Sequence, residues 1–202
     1  MILIPGLPLA RNGMWSREAT AKQSFKAGSM LPYVDALRRL RIGVFITNPM
    51  TPKCLQSNVP IEQCSSPEEH VLTVWLNYIK GCGFSDVYLV AHGVGGDCVA
   101  TIQRQEPASF DTLVRKVAFL ECPSTIERDE LDDAHSAWMK LNAIHYRKSE
   151  ADLGTPLKPT ENAPCPEISA GVTEAGAVPG ACFERVMAHF GFKDWQNKSL
   201  PE

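Results

Sequence analysis

Asp86 to Ala100, DVYLVAHGVGGDCVA, is the stretch on which the fold turns. Val87–Ala91 is an unbroken apolar, β-branched run without polar alternation, the pattern of a strand covered on both faces. Glycines at 93, 95 and 96 then break the run, and the residues that follow read as a helix. The apex of this strand–turn–helix unit falls on Gly93. Glycine adopts strained or positive-φ geometry without steric cost, and it brings no side-chain atom to the point of the turn.

Working outward, the same kind of run recurs at 2–4 (ILI), 42–48 (IGVFITN) and 117–121 (VAFLE), with a weaker one at 167–170 (EISA). Helical patterns separate them. SMLPYVDALRRL places Met30, Val34, Leu37 and Leu40 on one face. SPEEHVLTVWLNYIKGCG carries Ser66 as an N-cap, Pro67 and two acids in the first turn, and a glycine stop. Its Val71, Val74, Trp75, Tyr78 and Ile79 form one apolar stripe. PGACFERVMAHFG repeats the scheme, with Cys182, Phe183, Val186, Met187 and Phe190 inward. Alternation of such strands and helices predicts an α/β fold, a three-layer sandwich with a mostly parallel central sheet and right-handed crossovers. Two long loops, 49–65 and 147–166, leave the strand ends, the usual ligand or partner edge of such sheets. Residues 1–192 are expected to form one domain. The polar tail 193–202 follows, with Trp195 expected to pack back on the body.

Composition narrows the classes. A chain of 202 residues, 44% hydrophobic and 21% charged, is long enough for one core and too apolar for disorder. Net charge is −3, and ALRRLR at 36–41 is the only basic cluster. It reads as a solvated helix face, so direct nucleic-acid binding is not expected. The seven cysteines are odd in number, include no C-x-x-C pair and sit partly inside apolar runs, which favours buried reduced thiols over a disulfide framework or zinc site. His70, His135, His145 and His189 show no metal-ligand spacing. The opening MILIPGLPLARNG is too short in its apolar run for a secretory signal, and no run approaches a membrane span. An intracellular protein is expected, nuclear or cytoplasmic. Met1 almost abuts a strand: either the chain opens inside its own sheet or an upstream piece is missing.

A strand running through a tight turn into a helix is also where α/β-hydrolases carry G-x-S-x-G, with the serine exposed above the sheet and neighbouring amides holding the oxyanion. The aligned residues here are Ala91, His92, Gly93, Val94 and Gly95, followed by Gly96. The attacking atom is absent. Cys98 lies over a turn into the helix and is expected to face the core. His92 is expected to hydrogen-bond beneath the turn rather than position a water. The glycines match no full phosphate-binding pattern, and no Lys or Arg follows closely, which argues against a nucleotide cradle. LECPST at 120–125 sets a thiol and hydroxyls beside an acid, which a strand end explains equally well.

Several segments together resemble the Argonaute-binding-protein (Arb-type) domain family, an α/β-hydrolase-like group with members in chromatin and cotranscriptional regulation. They are RNGMW at 11–15, GSMLPYVDALRRLRIGVFITNP at 28–49, VYLVAHGVGG at 87–96, VAFLECPS at 117–124 and PEISAGVTEAGAVPGACFERVMAHF at 166–190. The resemblance covers almost the whole chain. It implies a serine at the position of Gly93 and a histidine base near Ala175 and Gly176, both replaced here, with Glu121 as a remnant acid. Loss of nucleophile and base removes most of a roughly 10⁶-fold effect. The implied function is a non-catalytic interaction or scaffold domain with protein partners and no cofactor. A displaced-group esterase and an anion or nucleotide binder at the elbow are the alternatives. Gly93→Ser is expected to cost about 1 kcal/mol and not to restore turnover, because Ala175 supplies no base.

Overall fold

The computed structural model describes residues 1–7, 11–54, 56–123 and 131–200. Six strands carry the architecture: β1 (Ile2–Ile4), β2 (Phe45–Ile46), β3 (Val87–His92), β4 (Val114–Leu120), β5 (Ala143–Arg147) and β6 (Glu167–Ser169). They form one sheet in the order β2-β1-β3-β4-β5-β6, with every neighbouring pair parallel. Each crossover therefore returns over a face of the sheet, and both faces are covered.

Alternation along the strands assigns side chains to the two layers. Leu89, Ala91, Val117 and Phe119 face α4 (Pro67–Val74), α5 (Gly95–Gln105), α6 (Pro107–Leu113) and α7 (Asp133–Asn142), with Val71, Trp75, Val99, Phe110 and Met139 in the same cluster. Val90, Ala118 and Leu120 face the other way, towards α3 (Leu31–Arg39), α8 (Val178–Ala181) and α9 (Phe183–His189). The short helices α1 (Arg17–Lys22) and α2 (Phe25–Gly28) flank that second layer, each capped by a serine whose side chain accepts an amide of the first turn. Trp15 and Tyr33 meet edge to face beneath them at 5.6 Å.

The three-layer parallel sandwich expected from the sequence is the one observed, with three local differences. β4 begins at Val114, before the run VAFLE, because Arg115 and Lys116 interrupt the apolar pattern at a strand end. β2 narrows to two residues because only Phe45 and Ile46 pair with β1. β5 carries no sequence signal: α7 runs directly into it without glycine or proline, and AIHYR mixes a histidine and an arginine into a short apolar run. In the stripe beginning at Val71, Trp75 and Ile79 are buried but Tyr78 is 58% exposed. Residues Trp75–Ile79 form a π-helical turn closed by Lys80 N–H to Trp75 O at 2.8 Å. The wider turn rotates Tyr78 off the inward face that α-helical spacing would give it.

Candidate functional site

The elbow lies where the chain leaves β3. Gly93 has φ +59°, and its amide donates to Leu120 O at 3.2 Å, pinning the apex to the end of β4. Helix α5 starts two residues later. A Cβ on Gly95 would lie 2.7 Å from Ile4 O, so glycine there lets helix and β1 approach. Beyond β1, Gly6 presses on the turn from above: a Cβ on it would fall 2.3 Å from His92 O and 2.6 Å from Val94 N. Its carbonyl accepts the Val94 amide at 3.3 Å.

That contact has a chemical meaning. In a hydrolase elbow the amide after the nucleophile points at the oxyanion; here it is spent on Gly6. Further into the helix start, Gly96 N–H donates to Gly93 O and Asp97 N–H to Val94 O. The expected mild cost of Gly93→Ser is corrected by the same geometry. A Cβ at position 93 would stand 2.7 Å from Gly6 O and 3.0 Å from Gly6 C, so backbone, not merely strain at positive φ, opposes a side chain.

His92 is fully buried beneath the turn. Its Nε2 lies 3.0 Å from Ala175 O; a carbonyl only accepts, so Nε2 carries the proton. Burial pushes the imidazole down to about 4, against a smaller upward pull from the Ala175 carbonyl, so the ring is neutral at pH 7. It packs edge to face with Trp15 at 6.0 Å. Thus His92 and Ala175, separated by most of the chain's second half, are joined. Ala175 begins a 3-10 turn, Ala175–Ala177. At Gly176 a Cβ would meet Ser16 Oγ at 2.4 Å, the same oxygen that caps α1.

Glu121 is placed elsewhere. It sits just past β4 with φ 46°, its carboxylate accepting Lys148 N–H at 2.6 Å with Lys148 Nζ 3.4 Å away. These contacts engage the carboxylate with Lys148, and no hydrogen bond to His92 or Ala175 is present among the described residues. Cys98 is buried, its thiol pushed well up by desolvation and set 3.6 Å from Val94 O. Within LECPST, Cys122 is buried with its thiol on Ala91 O at 3.3 Å; Ser124 and Thr125 lie outside the described residues.

A polar network at the ends of β4, β5 and β6 escaped sequence reading. His145 Nε2 accepts the Cys122 amide at 3.2 Å, and its Nδ1 stands 3.3 Å from Glu167 Oε1. Glu167 also takes Arg147 Nη1 at 3.0 Å and the Thr160 amide at 2.7 Å. Burial would raise this carboxyl, but the His145 bond, the Thr160 amide and the Arg147 charge outweigh it and hold it at about 2. These residues line a cavity of about 380 Å³. The only sequence signal was two oppositely charged side chains in short strands. Among the described residues no cluster could hold a metal ion.

Known proteins place this geometry in context. The Arb2 domain model matches residues 50–153. The chain is 22% identical to a cotranscriptional regulator ARB2A homolog of Xenopus tropicalis, over 94% of this chain and 57% of that protein. It is 23% identical to the cotranscriptional regulator ARB2A of Homo sapiens, over 85% and 53%. The chain thus spans about half the length of the curated relatives it matches. A histone deacetylase from Saccharomyces cerevisiae shares the fold, with TM-score 0.56 at 11% identity over 93% of this chain and 77% of that one. With the family model covering over half of the sequence, and the glycine elbow seated in an α/β sandwich, the chain belongs to the Arb2 domain family.

Proposed function

We propose that this chain is a non-catalytic, hydrolase-derived interaction domain, a subunit or scaffold within a larger nuclear assembly. The observation that carries this reading is the closed elbow. Gly93 offers no attacking atom, and Gly6 takes the amide that would hold an oxyanion. Position 175 offers His92 a carbonyl in place of a base. Acyl transfer needs nucleophile, base and oxyanion donors in one place; here the nucleophile is missing, and internal contacts take up the Val94 amide and the ring of His92. The names of the relatives as cotranscriptional regulators point the same way.

Within this reading, residues 1–192 act as the Arb-type domain and 193–202 as its tail, where Trp195 meets Phe183 edge to face at 5.4 Å. The loops 49–65 and 147–166, with the elbow between them, form the partner surface. A serine-reactive fluorophosphonate and short activated esters test the non-catalytic half. No labelling and no turnover above a heat-denatured control are expected. Turnover that disappears in His92→Ala while the fold is kept would defeat the proposal. Affinity purification of the full-length protein from nuclear extract, compared with a variant carrying alanine at the exposed loop residues Lys158, Glu161 and Asn162, tests the other half. A defined set of partners lost from the variant is expected.

A further inference from the structure

The two edges of the sheet are treated differently. At β6, residues 154–157 fold back alongside the strand. Leu157 N–H donates to Glu167 O at 2.9 Å and Ser169 N–H to Thr155 O at 2.8 Å, with an antiparallel bridge from Pro156 to Ile168. That edge is closed by the chain itself. At β2, Phe45 and Thr47 donate inward to Met1 O and Leu3 O at 2.9 and 3.1 Å. The peptide groups of Val44 and Ile46 therefore point outward, and among the described residues no backbone group pairs with them. Val44 packs on the α3 layer, and Ile46, two residues on and on the same face, is 39% exposed.

Beside this edge Asp86, which lines the same hollow as Gly43 and Phe45, is paired with Arg115, and basic charge is left over. Residues 38–41 form the turn that feeds β2: Arg41 N–H donates to Arg38 O, and Ile42 N–H to Leu37 O. Arg39 is bonded to Asp35 and to Lys198 O. Arg38 and Arg41 are exposed and have no carboxylate partner among the described residues. In a chain of net charge −3, this is the basic cluster ALRRLR, and it stands at the mouth of the open edge.

We infer that the outer edge of β2 is a docking site for an extended segment of a protein partner. The segment adds a strand through the peptide groups of Val44 and Ile46, covers Ile46 with an apolar side chain, and carries acidic residues to meet Arg38 and Arg41. Strand addition draws affinity from main-chain hydrogen bonds and specificity from alternate side chains. Unpaired edge groups supply the first, while opposite charge supplies orientation and partner choice. This surface is separate from the loop surface proposed above and holds whether or not the elbow is catalytic.

The test uses the whole chain, ¹⁵N-labelled, and short synthetic peptides alternating valine and threonine with an aspartate pair at the amino or the carboxyl end. Matched peptides carry lysines instead, or N-methyl groups on alternate amides. An aspartate peptide is expected to shift and protect the amides of Val44 and Ile46 while leaving those of Phe45 and Thr47, already bonded to β1, protected as before. It should bind about tenfold tighter than its lysine counterpart, as two exposed charge pairs allow. The preference should invert in Arg38→Glu/Arg41→Glu, whose surface positions leave the fold intact. N-methylation should abolish binding. The inference is overturned if no aspartate peptide moves Val44 and Ile46, or if lysine peptides bind equally. It is also overturned if those amides are already protected in a concentration-dependent dimer, which would assign the edge to a second copy.

Discussion

Gly93 and Gly6 are two glycines that meet across a turn, and their contact governs chemistry and stability together. Restoring a serine at position 93 puts a Cβ 2.7 Å from Gly6 O at a positive-φ site. Gly93→Ser should therefore cost about 2–4 kcal/mol, combining backbone strain with overpacking, and should show no esterase turnover. Chemical denaturation followed by far-UV dichroism measures the first, and an ester assay the second. A loss under about 1 kcal/mol would mean that the Gly6 segment yields easily. His92 makes a separate prediction. Its folded-state pKa of about 4 lies below the ordinary 6.5, so the unfolded chain binds the extra proton first as pH falls. Stability is fully present above pH 6.5 and declines between 6.5 and 4, by about 3 kcal/mol in total. His70, also lowered by burial, adds in the same direction. Melting temperatures at pH 7 and 5 should differ more in the parent than in His92→Gln.

The element that runs from α4 through its π turn separates buried from exposed aromatic residues within one turn of chain. Trp75 is buried, with its indole nitrogen donating to Ser109 Oγ at 2.9 Å. Trp75→Ala should cost about 3–5 kcal/mol through the cavity it leaves. Tyr78→Ala, on the outward side of the π turn, should stay within about 0.5 kcal/mol of the parent. Thermal melts of the two variants check the pair. Equal losses would show the α-helical register expected from the sequence, with Tyr78 turned inward. α4 also anchors the start of the 49–65 loop. His70 Nε2 accepts the Asn48 amide at 3.0 Å while its Nδ1 meets Cys64 Sγ at 3.2 Å, so one ring holds both ends of the loop.

At the scale of the molecule, one sheet separates two apolar layers, with Trp15 in one and Trp75 in the other. Because both layers rest on the same six strands, neither survives without the sheet, and unfolding should be a single cooperative transition. Variants that keep only Trp15 or only Trp75 as fluorophore, once their own stabilities are matched, should melt at the same temperature as the far-UV signal. Two separate transitions would show that the layers form independent units.

The sequence alone determined the class of fold, because buried parallel strands must be continuous apolar runs, and VYLVA, ILI and VAFLE are legible as such without any partner. It also determined the empty apex, since Gly93 is a matter of identity and not of geometry. Tertiary structure alone decided what fills that apex. Gly6 lies far along the chain from the turn it closes, and no local pattern encodes a contact between two backbones. β5 was hidden for a related reason. Its residues His145 and Arg147 are satisfied by Cys122 and Glu167 on neighbouring segments of the sheet, so their polarity, which argues against a strand in sequence, is offset only once the sheet has assembled.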